Sequence, residues 1–91
     1  MKLVFHASAL ADLQNIHNHI AIDNPKIAQV VIGRIKLSLD RLLHFPRSGR
    51  NGTVSGTYEV VVPGLPYIVV YELNGERIGV VAVFHGAQHR E

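Results

Sequence analysis

The sequence predicts an α+β domain of order β-α-α-β-β-β: an N-terminal strand, an antiparallel helical hairpin, and then a small antiparallel sheet covered by the helices on one face. Three observations lead there. Apolar residues recur at three- and four-residue spacing in two consecutive stretches, Leu10, Leu13, Ile16, Ile20 and then Ile27, Val31, Ile35, Leu39, Leu42, which is the period of amphipathic helices. Asn24-Pro25 separates the two; asparagine caps a helix well, and proline suits a first helical position, where no N–H is needed. Two β-branched and aromatic runs, 66–73 and 76–84, flank Asn74-Gly75, a pair that tolerates positive φ at both centres of a type I′ turn. Helices followed by a run of strands describe a helical layer on one face of a sheet.

Taken in order, 2–6 alternates weakly and reads as a short strand. Ser8 is the expected N-cap of the first helix, with Asp12 near its first turn to complement the dipole. That helix ends near Asp23, and the short break at Asn24-Pro25 turns the chain into an antiparallel partner. Gly33 sits inside the second helix at a cost of about 1 kcal/mol relative to alanine, so close packing against the first helix is expected there. Arg34, Lys36 and Arg41 fall off the apolar stripe and should reach solvent. The segment 44–52 is a Pro/Gly/Asn loop carrying Arg47 and Arg50. Residues 53–55 are expected to pair briefly, 57–62 to form a strand, and Pro63-Gly64-Leu65-Pro66 to close it.

The hairpin that follows organises the domain. With Asn74-Gly75 as the turn, Leu73 faces Glu76, Glu72 faces Arg77, Tyr71 faces Ile78, Val69 faces Val80 and Tyr67 faces Ala82. An ion pair and an aromatic/β-branched pair then land opposite each other. One face carries Tyr67, Val69, Tyr71, Leu73, Ile78, Val80, Ala82 and Phe84; the other carries Ile68, Val70, Glu72, Arg77, Gly79, Val81, Val83 and His85. Both are largely apolar, yet two helices cover only one. The second face, with Ile68, Val70, Val81 and Val83, is therefore expected to stay partly open as a partner surface. A polar tail of Gln88, His89 and Arg90 ends the chain.

Ninety-one residues make one domain, 1–91. There is no cysteine, which removes disulfides, thiolate chemistry and Cys-ligated zinc and suits a reducing cytoplasm. The start, Met-Lys-Leu-Val-Phe-His, reads as neither a signal peptide nor a membrane span. His17 and His19 stand two apart, the wrong spacing for a shared helical metal site, and no cofactor is expected. Net charge is +2, but 34–50 holds five basic residues against Asp40 alone, or +4, and the rest holds four basic against six acidic residues, or −2. A local basic stretch in a near-neutral chain fits an anionic partner, or simply a solvated helix face.

The ordered set of pieces resembles the RelE/ParE superfamily of bacterial toxins. These pieces are Asp12-Leu13 with Ile16, Asn24-Pro25, Leu42 with Pro46, Gly49 and Arg50, Gly56-Thr57 with Glu59, Val61 and Val62, 66–71, and His85 to Gln88. The resemblance covers the whole chain. It implies a toxin of a type II toxin–antitoxin pair, held inactive by a cognate antitoxin whose acidic segment docks on the open sheet face and the basic stretch, with Arg34 and Arg41 among the contacts. RelE-like members cut messenger RNA in the ribosome, and ParE-like members poison DNA gyrase. In the nucleases the strand matching 66–71 carries a catalytic arginine where this chain has Ile68. Many relatives also have arginine where Tyr58 stands. Both departures imply the ParE-like branch, with the ribosomal nuclease as the alternative and a non-toxic protein- or RNA-binding module as the second.

Among individual residues, Arg47 and Arg50 lie on a loop, where functional groups concentrate, and two guanidiniums three apart suit a phosphate or carboxylate. Glu59 is either a base or the ion-pair partner of those arginines. His85 is the best acid/base candidate, or else a structural histidine. Tyr71 reads as core. Arg47, Arg50, Tyr58, Glu59, His85 and Gln88 make up the expected target- or partner-binding set.

Overall fold

The computed structural model describes residues 1–88, the last of them by backbone alone. Strand β1 (Lys2–Phe5) leads directly into helix α1 (Ala7–Ala21). Helix α2 (Pro25–His44), strands β2 (Arg50–Asn51), β3 (Thr57–Val61), β4 (Tyr67–Asn74) and β5 (Arg77–His85), and a 3₁₀ turn (Gly86–Gln88) follow. The sheet order is β1-β5-β4-β3-β2. The expected β-α-α-β-β-β order is present, with two differences. β1 joins parallel to β5, so the sheet is mixed, because the helical hairpin carries the chain back over the sheet before β5 is made. The brief pairing expected at 53–55 falls instead on Arg50 and Asn51, opposite Glu59 and Tyr58. No described helix is long and apolar enough to cross a membrane.

The hairpin turn is Gly75-Glu76, with Asn74 paired to Arg77. Gly75 alone there has positive φ, 63°. That is the pattern of a type II′ turn, which needs glycine only at its first centre, rather than of type I′. Leu73 therefore faces Ile78, Glu72 faces Gly79 and Tyr71 faces Val80. A bulge follows: Val70 pairs with Ala82, so Val81 is the extra residue. Beyond it the alternation of β5 is inverted. Val83 joins Val69 on the helix side and is fully enclosed, which overturns its assignment to an open face. His85 likewise pairs with Tyr67 on the helix side.

The core lies between that face and the helices. Val62, Val69, Tyr71, Ile78, Val80 and Val83 meet Ala9, Val31, Ile35, Leu39 and Leu42. At roughly 25 cal/mol per Å2 of apolar surface removed from water, each of the valine, leucine and isoleucine side chains contributes on the order of 1.5–3 kcal/mol against its exposed state. Asn24 caps α2 as expected, its side chain accepting from the Ile27 N–H at 3.2 Å. Ile27 itself is exposed, and Ala28 takes the buried position. Gly33 faces open space, with nothing near the place of a Cβ, so the close helix packing expected there is absent.

Ser8 is not the cap of α1. The N-cap is His6, without a side-chain bond. Ser8 instead donates its hydroxyl to the Val81 carbonyl at 2.6 Å, and Asp12 accepts from the Val83 N–H at 2.9 Å. β1 pairs with β5 only as far as Val80, so the next backbone groups of that edge need other partners. One turn of α1, with Ser8 and Asp12 four residues apart on the same face, supplies them.

Candidate functional site

The loop between α2 and β2 has a defined shape because one phenol holds both its ends. Tyr71, buried in the core, donates its hydroxyl to the Pro46 carbonyl at 2.9 Å and accepts from the Gly49 N–H at 3.0 Å. Tyr58 stacks on it, with ring centroids 5.6 Å apart. Gly49 is required by close approach: a Cβ there would stand 2.6 Å from the Tyr71 oxygen and 2.7 Å from the Glu59 carbonyl. Burial pushes the Tyr71 phenol above the usual tyrosine value, opposed by the Gly49 hydrogen bond and reinforced by nearby Tyr58. Between the two anchor points stand Arg47 and Ser48, both exposed.

Arg50 follows on β2 and places Nη2 3.4 Å from Oε1 of Glu59. The two are cross-strand partners on the sheet face away from the helices. Glu59 is only 5% exposed, whereas the Arg50 side chain is 65% exposed. Glu59 is thus a carboxylate buried beneath an arginine that still faces solvent. Tyr58 points to the opposite side, stacked on Tyr71.

Where the greasy surface lies differs from expectation. On the far sheet face Ile68 is buried, and Val70 and Val81 are half-buried; the Gly86 N–H, bonded to the Pro66 carbonyl at 2.6 Å, brings the 3₁₀ turn close to Ile68. Large exposed apolar side chains stand on α2 and the loop instead, with Leu37 64% and Phe45 63% exposed. They border two adjoining grooves along α2. One, of about 410 Å3, is lined by Arg41, Leu42, Phe45, Ser48, Val61 and Pro63. The other, of about 400 Å3, adds Arg34, Leu37, Asp40 and His44. Arg34 and Arg41, expected as partner contacts, both rim this surface. Leu37 and Phe45 were not singled out in the sequence, and Val61 only as part of a family motif, although Ile27, Val30, Arg34, Leu37 and Arg41 repeat at three- and four-residue intervals and mark a second stripe on α2.

His85 stands apart from all of this. It meets Tyr67 edge-on, with ring centroids 5.5 Å apart, and its Nδ1 accepts the Ala87 N–H at 3.0 Å. In the neutral ring the proton then sits on Nε2. The imidazole lines a cleft of about 420 Å3 beside α1, with Asp12, Asn15, His19 and Tyr67. Glu59 and His85 thus lie on opposite faces of the sheet. The Gln88 side chain, with His89 and Arg90, lies outside the described residues. Among the described residues no three of His, Asp or Glu converge as metal ligands would. One further polar pair crosses the far face, His6 Nε2 to Glu72 Oε2 at 3.1 Å, above Gly79.

Residues 3–90 match the model of the family described as the ParE toxin of type II toxin-antitoxin system, parDE. The chain is 35% identical over 80 residues to Y4kP of Sinorhizobium fredii, an alignment covering 88% of this chain and 82% of that protein. It is 33% identical over 87 residues to Toxin RelE2 of Caulobacter vibrioides, covering 96% and 97% respectively. A solved structure of the chromosomal ParDE TA system from P. aeruginosa superposes with a TM-score of 0.83 at 22% identity, over 93% of this chain and 95% of that one. The intact E. coli RelBE toxin-antitoxin complex gives 0.71 at 19% identity, over 98% of each chain. These two likenesses are of fold.

Proposed function

The chain belongs to the ParE toxin family, within the RelE/ParE superfamily of type II toxins, and on that premise we propose that it arrests growth by binding DNA gyrase rather than by cutting RNA. The observation that carries this reading is the separation of its proton-transfer candidates. Cleaving a phosphodiester at a 2′-OH needs a base, an acid and cations around one phosphate. Here Glu59 is buried under Arg50 on one face of the sheet and His85 lies on the other. Ile68, at the position of the nucleases' catalytic arginine, is a buried alkyl side chain. What the far face and its loop offer is recognition: Arg47 on a held loop and Arg50 at the start of β2 just after it, suited to carboxylates or phosphates on a target.

A cognate antitoxin completes the proposal. Its docking site is the groove along α2, where Leu37, Phe45 and Val61 supply apolar area and Arg34 and Arg41 supply charge. An acidic amphipathic segment that folds as it binds would match that surface. The alternative, a ribosome-dependent nuclease, draws on the 33% identity to Toxin RelE2.

The test is induction of the chain in bacteria, followed by assay of the purified protein against gyrase supercoiling and against ribosome-bound message. Growth arrest with supercoiling inhibited and message intact is the expected result. Codon-specific cleavage with supercoiling untouched would establish the nuclease instead, and absence of arrest would remove the toxin reading.

A further inference from the structure

We infer that Tyr71 is the positioning residue of the arginine loop, and that its hydroxyl acts on the target through Arg47 and Arg50 while itself touching nothing outside the chain. The inference rests on the proposed role of those arginines in recognition.

The phenol donates to the Pro46 carbonyl and accepts from the Gly49 N–H, with the Ser48 side chain also beside it. The backbone of Arg47 and Ser48 is thereby closed into a short span anchored at both ends by one rigid side chain. The anchor is rooted in the core, where Tyr71 pairs with Val80 across β4 and β5 and stacks on Tyr58. Gly49 admits no Cβ, so the span is fitted to the ring rather than merely resting on it. Arg50 begins β2 one residue later, and its reach to Glu59 depends on the same backbone position. Ordering a loop before binding removes that entropy cost from the binding step. A core tyrosine needs no hydroxyl to fill its volume; here both hydrogen-bonding capacities of the hydroxyl go to the loop that carries the cations.

Tyr71→Phe in the full chain is the experiment, read by amide exchange and by growth arrest on induction. Exchange at 47–50 should accelerate at least tenfold while exchange in the middle of α2 stays within twofold of wild type. Growth arrest should weaken at least tenfold in surviving colonies, as it should for Arg47→Ala, and the double variant should be no weaker than Arg47→Ala alone. Equal acceleration in loop and helix would make the hydroxyl a general stabiliser and overturn the inference. So would unchanged exchange in the loop, full arrest by Tyr71→Phe, or full arrest by Arg47→Ala. If the wild-type chain causes no arrest, the toxin reading falls, and the exchange result alone decides whether the clamp exists.

Discussion

Asp12→Ala tests how the helical layer is tied to the sheet. In the structure the Asp12 carboxylate accepts the Val83 N–H at 2.9 Å, in partly buried surroundings, just beyond the point where β1 stops pairing with β5. A hydrogen bond to a charged acceptor contributes about 1.5–3 kcal/mol, and an orphaned buried donor costs about 1–3 kcal/mol. Asp12 is half-exposed, so water can reach the vacated site, and the expected loss lies at the low end, about 1.5 kcal/mol. For a domain of this size that lowers Tm by roughly 6–12 °C. Asp12→Asn separates the two roles open to the residue. An asparagine oxygen still accepts the Val83 N–H, whereas it no longer complements the helix dipole. Thermal unfolding by circular dichroism of both variants should therefore show Asn recovering more than half of the loss caused by Ala. Equal damage from the two substitutions, or an alanine variant within about 0.3 kcal/mol of wild type, would refute the edge-capping argument.

Arg50→Ala leaves Glu59 buried without its partner; a fully enclosed pair broken this way loses about 3–5 kcal/mol, but the exposed arginine end is screened, so a urea midpoint change equivalent to about 1–2 kcal/mol is expected. Adding Glu59→Gln should restore part of that loss, because no lone charge remains. Leu37→Asp, on an exposed helix position, should leave Tm within about 2 °C while weakening capture by the co-expressed antitoxin at least tenfold in a titration of growth rescue. At high pH the raised phenol of Tyr71 sets a sign. The folded state holds this proton more tightly than the unfolded state, whose value is near 10.0, so its contribution is intact below pH 10 and declines as pH rises through the folded value. Tyr71→Phe should accordingly flatten the fall in urea midpoint between about pH 9 and pH 11.

Much of the fold was readable from periodicity. The break at Asn24-Pro25 and the buried run Val31, Ile35, Leu39, Leu42 stand where three- and four-residue spacing puts them, and Tyr71 is core. Residues whose partners are remote in sequence were not readable. Ser8 and Asp12 look like helix-start chemistry locally, but their hydrogen bonds go to a strand some seventy residues away. The turn slipped by one position because Asn-Gly satisfies type I′, and a type II′ turn beginning at Gly75 is equally open to it. Nothing in Val81-Ala82-Val83 marks which valine is extra, since all three are apolar. The arginines were located by charge density. That Arg50 lies over a buried Glu59, and that Leu37 and Phe45 join Val61 of β3 in carrying exposed apolar area while Ile68 is covered, follows from how the loop folds across the strand ends.

The extra residue at Val81 has a consequence for comparing this chain with its relatives. A strand normally keeps one odd–even phase from end to end, and β5 keeps two, joined at that point. A relative one residue shorter there, with the bulge removed, would keep Ala82, Phe84 and His85 on their present faces, whereas one of equal length that paired without the bulge would send Ala82 and Phe84 inward and turn the imidazole of His85 out to the opposite surface. Alignments that slide a gap freely through 80–83 will therefore mix residues with opposite addresses, and placing that gap correctly decides which side of the sheet any inherited function is assigned to.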